Sequence, residues 1–144
     1  YTPSLGLTVC SNVLAFTQTQ MFPTFAVFGT SLSFNMFSYN YRIGANVGGT
    51  DFDSGTSGFI LQNQKTHACV SVSPNDELTI YRNGSRVSRS SADFSGIPAA
   101  SKMSIGSNPF IDGTVRGLVG CLSAVRVWSR VLSDAEIASV ASAA

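Results

Sequence analysis

Charge is what this sequence has least of. Asp, Glu, Lys and Arg make up 12% of residues, about half the share of an ordinary globular domain. The formal net charge is +1. Bulk electrostatics therefore give no reason to expect nucleic acid or an anionic membrane as a partner. Long apolar runs are also missing: none reaches the roughly 18 residues of a membrane span, which argues against membrane insertion. There is one histidine, His67, so a Ser-His-Asp site would rest on it alone. Only three cysteines occur, Cys10, Cys69 and Cys121, far apart and with no Cys-x-x-Cys pair, which disfavours zinc. An odd count leaves two readings open. Either one disulfide and one spare thiol form in an oxidising compartment, or three free thiols lie buried in a reducing one. The opening Tyr1-Thr2-Pro3-Ser4 carries no basic n-region, so the chain reads as a processed secreted protein or as a piece of a longer one.

What is present is apolar and β-prone. The 144 residues fit one domain, and a hydrophobic share of 44% marks a folded chain. Leu5, Leu7 and Val9 alternate with small polar residues, the period of a half-buried strand. Phe25–Phe28 and Leu32-x-Phe34-x-Met36 give two more. Tyr39-x-Tyr41-x-Ile43 reads as a fourth. The stretch from Gly44 to Gly58 is dense in glycine, and reads as a loop or as two short strands with a wide turn. Ala68, Val70 and Val72 alternate again. Leu78–Tyr81 runs to Asn83-Gly84, the strongest local hairpin signal, because a type I′ turn needs positive φ twice. With that turn, Ile80 faces Val87 and Tyr81 faces Arg86. Met103-x-Ile105 and Leu118 to Trp128 supply the last strands. One segment is helical: Ser133-x-x-Glu136 is a capping box, and Leu132 with Ile137 a hydrophobic staple, which places a helical turn near residues 133–140. The fold expected is all-β, a jelly-roll sandwich of two antiparallel sheets with one short C-terminal helical turn.

Several stretches then resemble laminin-G-like and pentraxin domains, of the concanavalin A-like lectin type. Leu78-Thr-Ile-Tyr-Arg-Asn-Gly-Ser-Arg-Val87 is similar to their L-x-L-Y-x-N-G hairpin. Met103-Ser-Ile-Gly106 is similar to their I-G strand end, and Gly117–Ile137 to their closing strand and helix. His67-Ala-Cys69-Val-Ser71 resembles the start of the pentraxin signature, with Val72 in place of tryptophan and Pro74 in place of the last serine. The resemblance implies a Cys10–Cys69 disulfide between neighbouring strands. It also implies that the family's first strands are missing from residues 1–144, so that the chain is either a fragment or has an uncovered sheet edge that a partner completes. The family's calcium ligands are not matched. Asn108-Pro109-Phe110 stands where an acidic run is expected, and Gly29-Thr30-Ser31 holds no acid, so calcium is disfavoured and no cofactor is expected.

The remaining candidates are weighed against plainer roles. A glycoside hydrolase needs two carboxylates in a cleft. Asp51 and Asp53 come nearest but fall in the glycine-rich stretch, and Asp134 and Glu136 belong to a helix start. Asp51, Asp53 and Asp112 are the acids available to a metal, although Asp112-Gly113 reads as a turn. His67, beside Cys69, reads as structural. Arg82, Arg86 and Arg89 are a possible contact for anionic glycans. Arg82 and Arg86 face opposite ways, and Tyr81–Arg86 stacking is the plainer account. Asn83-Gly84-Ser85 is an N-glycosylation sequon. Phe37, Tyr39, Tyr41 and Phe110 read either as a sugar-stacking platform or as core. Cys121 reads as buried and inert, or as a link to a neighbouring chain. The function expected is a non-catalytic extracellular recognition module binding glycan or protein. The alternatives are a structural subunit of a coat, fibre or capsid, and, last, a glycosidase.

Overall fold

A computed structural model describes residues 6–17, 24–28, 34–91, 103–106 and 118–143. Ten strands form two antiparallel five-stranded sheets: β1 (Leu7–Thr17), β2 (Thr24–Phe28), β3 (Phe34–Tyr39), β4 (Arg42–Val47), β5 (Thr50–Asp53), β6 (Lys65–Val72), β7 (Glu77–Arg82), β8 (Ser85–Ser91), β9 (Met103–Ile105) and β10 (Val119–Trp128). The first sheet has the order β10-β1-β6-β7-β8, and the second β5-β4-β3-β2-β9. Among the described residues one α-helix, α1 (Asp134–Ser142), follows. This is the all-β sandwich of two antiparallel sheets with a C-terminal helix that the sequence predicts. No helix among the described residues is long and apolar enough to cross a membrane.

Alternation decides which side chains meet between the sheets. Leu7, Val9 and Val13 of β1, Ala68, Val70 and Val72 of β6, and Leu78 and Ile80 of β7 face inward. They pack on Phe25, Phe34, Met36, Ile43, Ala45 and Val47 of the second sheet. β6 is buried from Thr66 to Val72, because α1 covers much of its other face. There Leu132 and Ile137 pack with Cys10, Cys69 and Tyr81, flanked by Trp128 and Val140.

The helix starts where its cap dictates. Ser133 Oγ accepts from Glu136 N, and the Glu136 carboxylate accepts from Ser133 N at 2.8 Å. Leu132 and Ile137 sit at the staple positions on either side of this cap. Arg130 donates to the same carboxylate, and with Ser133 it holds the Glu136 pKa down to about 2.

Four local expectations are corrected. Tyr39–Ile43 is not one strand: Asn40 (φ 48°) and Tyr41 (φ 66°) form the turn between β3 and β4, which tyrosine's low tolerance of positive φ conceals. Of the two readings of the Gly44–Gly58 stretch, the two-strand one holds, but the turn is tight and not wide: β4–β5 is turned by Gly48 and Gly49 at φ 62° and 87°, which are conformations that glycine adopts freely. In the β7–β8 hairpin, Asn83 and Gly84 do take positive φ and Tyr81 does face Arg86. A bulge at Val87, however, pairs Ile80 with Ser88. Finally, Cys121 is exposed rather than buried, since it lies on the outer face of the edge strand β10.

Candidate functional site

The outer face of the first sheet is divided in two. Ladder pairing sets its side chains in cross-strand rows. One row is Arg126, Cys10, Cys69 and Tyr81. The next holds Ser123, Asn12 and His67, and the one beyond it Cys121, Leu14 and Lys65. α1 covers the first of these rows. Cys10 and Cys69, paired directly, are joined by a disulfide of 2.03 Å. Tyr81 OH donates to Asp134 at 2.9 Å, and burial, helped by this acid, pushes its pKa up to about 12.

Between the C-terminal half of α1 and the sheet a pocket of about 390 Å³ opens. Strands β1 and β6 supply Asn12, Lys65 and His67; the β7–β8 turn supplies Asn83, Gly84 and Ser85; the helix supplies Ala138, Ala141 and Ser142. The turn is fixed against the helix. A Cβ on Gly84 would lie 3.1 Å from Ala138 Cα and 3.2 Å from Ala141 Cβ, so only glycine allows this approach. Asn83 holds the rim to β6 twice: its backbone N donates to His67 O at 2.7 Å, and its Oδ1 accepts from His67 N at 2.9 Å.

The floor is polar. Asn12 is 4% exposed, and its Oδ1 has no hydrogen-bond partner. His67 is 6% exposed, and its ring lies 3.7 Å from Cys69 Sγ. Burial, then the charges of Arg126 and Lys65, lower its pKa below the usual value of 6.5, so the ring is neutral at pH 7. Among the described residues Cys10, His67 and Cys69 form the one cluster of potential metal ligands. Its two sulfurs are bonded to each other, which removes them from coordination. No acid lines the pocket.

The structure does not gather the three hairpin arginines. Arg86 pairs with Asp134 at 3.6 Å and Arg89 with Glu77. Arg82 projects from the opposite face, with its Nε buried and unpartnered. Asp134 is what Tyr81 and Arg86 share.

On the second sheet, a smaller cleft of about 220 Å³ is lined by Phe37, Tyr39, Asp51, Phe52 and Asp53. Both acids stand on β5 at alternate positions, not in a loop, and each has a local role. Asp51 accepts from Asn46 Nδ2 at 2.7 Å. Asp53 accepts from Gly55 N at 2.6 Å and pairs with Arg42 at 3.5 Å. Phe37 is buried and Tyr41 exposed. Phe110, Asp112 and the two stretches compared with calcium ligands, Gly29–Ser31 and Asn108–Phe110, lie outside the described residues.

Sequence reasoning singled out His67, Cys69 and Asn83 but missed Asn12, Lys65 and Ser142. The carboxamide of Asn12, amid apolar and small hydroxyl residues of β1, was the available signal.

Residues 4–138 match the family described as the Concanavalin A-like lectin/glucanases superfamily. No curated protein matches the chain. Among solved structures, a heptameric SAP-like pentraxin from Limulus polyphemus is 22% identical with a TM-score of 0.75, over 94% of this chain and 69% of that one. The CBM40 of the Ruminococcus gnavus IT-sialidase, bound to α2,3 sialyllactose, is 17% identical with a TM-score of 0.77, over 96% and 84%. Domain 4 of an extracellular arabinanase from Geobacillus stearothermophilus, in complex with arabinotriose, is 20% identical with a TM-score of 0.67, over 94% and 66%. At these identities the likeness is one of fold.

Proposed function

The chain belongs to the Concanavalin A-like lectin/glucanases superfamily, and from that premise we propose that it is an extracellular, non-catalytic module that recognises carbohydrate without calcium. The observation that carries this reading is the polar pocket at the end of α1. Asn12, Lys65, Asn83, Ser85 and Ser142 converge there with both donors and acceptors. Asn12 Oδ1 is a buried acceptor in need of a donor, and such an atom costs about 1–3 kcal/mol while unmet. The polar groups open to a ligand are those of the exposed Lys65, Ser85 and Ser142, which suit a polyhydroxylated ligand and not an apolar one. Helix carbonyls near Ser142 add further acceptors, since the last turn of a helix leaves its C=O groups free.

Hydrolysis is disfavoured on chemical grounds. Two carboxylates must flank a bound glycosidic bond. None lines this pocket, and Asp51 and Asp53 are engaged by Asn46, Gly55 and Arg42. The Cys10–Cys69 bridge supports an oxidising, extracellular setting. Asn83 is also the sequon residue: it is exposed, and modification at Nδ2 would leave its Oδ1 the bond from His67 N, but a glycan there would occupy the pocket rim that Asn83 lines and would argue against ligand contact at that rim. The relatives of like fold support the ligand class, because two of them are complexes with sialyllactose and arabinotriose.

The test is a glycan array with the wild-type protein and Ser142→Trp, which fills the pocket mouth from an exposed helix end. Wild-type binding that the variant loses, at an unchanged unfolding midpoint, supports the reading. Equal binding by both proteins, or release of shortened glycan from a bound ligand, counts against it.

One observation favours assembly as a second reading. Among the described residues β10 ends the first sheet with an unpaired edge, and Val119, Cys121 and Val127 on it are exposed. Such an edge is a template for pairing with another chain, and one protein of like fold is heptameric. Sizing chromatography decides: a monomer at working concentration removes this reading.

A further inference from the structure

The disulfide and the single histidine share one face of the first sheet. Cys10 and Cys69 are direct cross-strand partners on β1 and β6, and His67 precedes Cys69 by two positions, so all three side chains leave the sheet on the same side. Their donor atoms all lie within 4.8 Å of one another. The two ring nitrogens of His67 are 3.7 and 3.8 Å from Cys69 Sγ. With Zn–S near 2.3 Å and Zn–N near 2.0 Å, neighbouring donors in a tetrahedral zinc site stand about 3.6–3.8 Å apart. The imidazole therefore already stands at a ligand's distance from Cys69. Only the bond between the two sulfurs withholds them from a metal.

We infer that these three side chains form a redox-gated metal site: a disulfide when oxidised, and a zinc site of two thiolates and one imidazole when reduced. The inference is independent of the carbohydrate-binding reading. A dithiol opens the site by passing two electrons and two protons to the Cys10–Cys69 bond, and leaves as its own disulfide. Zn²⁺ then displaces the two thiol protons and forms two Zn–S bonds and one Zn–N bond. Water from the pocket that His67 lines takes the fourth position. Charge balance favours a divalent ion. Two thiolates alone would be uncompensated in a layer closed by Leu132, Ile137 and Tyr81, whereas with one Zn²⁺ the group is neutral. Thiolate and imidazole also select zinc over calcium or magnesium, which take oxygen ligands. The sequence conceals this grouping, because Cys10 and Cys69 are 59 residues apart and only the β1–β6 ladder brings them together.

The test uses the full chain with Cys121→Ser, which removes the exposed third thiol. Both paired cysteines are fully buried, so a phosphine reduces them in mild urea, and the protein is returned to buffer without oxygen. Co²⁺ is then titrated as a spectroscopic substitute for zinc. The expected result is one Co²⁺ per chain, with a thiolate charge-transfer band and the visible bands of a tetrahedral site, both bleached by Zn²⁺. Zinc should also raise the unfolding midpoint of the reduced protein and leave that of the oxidised protein unchanged. His67→Gln should weaken Co²⁺ binding by about tenfold or more, since losing even an outer partner of a ligand costs roughly 10–100-fold. The unfolding midpoint of this variant in its oxidised form checks that it folds. Equal affinity in His67→Gln makes the histidine a packing residue only and overturns the three-donor site. Equal metal binding by the oxidised protein overturns the redox gate. If the reduced chain unfolds without metal, zinc must restore the native fluorescence of Trp128, which packs beside the bridge; a cobalt spectrum without that recovery belongs to an unfolded chelator and overturns the inference. A folded reduced protein with no thiolate band overturns the site altogether.

Discussion

Removing the Cys10–Cys69 bridge should cost this domain about 4 kcal/mol. The bridge joins residues 59 apart in sequence, and the loop it closes contains β2–β5 of the second sheet. In the chain-entropy account, a loop of that size loses about 14 cal/mol/K of denatured-state entropy, or about 4 kcal/mol at 25 °C. A chain of 144 residues has roughly 7–20 kcal/mol of stability at 0.05–0.15 kcal/mol per residue. The loss is therefore a large fraction but need not be fatal. Cys10→Ala with Cys69→Ala is the right perturbation, because both sites are fully buried and alanine adds no polar atom. Urea unfolding followed by fluorescence is the assay. Trp128, the single tryptophan, packs beside the bridge and reports on it. The variant should show a lower midpoint and a steeper dependence on urea, since a denatured chain without the crosslink exposes more surface. A loss under about 1 kcal/mol at unchanged slope would refute the reasoning. It would mean that the denatured chain already keeps β1 and β6 together.

Two further outcomes are expected. Gly84→Ala should destabilise by about 1–3 kcal/mol, because the new methyl meets Ala138 and Ala141 and because φ is 82°. Chemical denaturation that shows no loss would disprove the close packing of turn on helix. His67 gives a pH dependence: burial, with Arg126 and Lys65, holds its pKa below 6.5, so the unfolded chain takes up the proton first as pH falls. The stability this contributes is complete above pH 6.5 and declines below it, and His67→Gln should remove that decline between pH 6.5 and 5. Parallel slopes for the two proteins would refute it.

Much of the scaffold was legible because local rules and tertiary need agree. Asn83-Gly84 predicts its own turn, and Ser133-x-x-Glu136 its own cap, since each satisfies backbone groups within a few residues. Asn40-Tyr41 was not legible, because tyrosine at positive φ reflects the pairing of β3 with β4 and not its own preference. The Val87 bulge was missed for a related reason. It re-aims Arg89 towards Glu77, and nothing within the hairpin sequence marks the extra residue. Burial of Cys121 was expected from residue type, yet its exposure depends on β10 lying at a sheet edge. The pocket was the least legible feature. Asn12, Lys65, Asn83 and Ser142 are distant in sequence, and only the ladder and the end of α1 bring them together.

The place where the helix stops is what turns a structural face into a candidate binding one. Over Cys10, Cys69 and Tyr81, Ile137 of α1 and Leu132 just before its cap pack closely, and the face is closed. One row further the same strands carry Asn12 and His67. Gly84 admits Ala138 and Ala141 at contact distance and α1 ends at Ser142, so the end of the helix walls a pocket over this row, with Asn12 Oδ1 buried and unmet beneath it. A stability test can separate this from mere imperfection: Asn12→Val should stabilise a domain in which the acceptor is only a burden, and should abolish glycan binding in one that uses it. Gain of stability with unchanged binding would leave Asn12 without a role in the pocket.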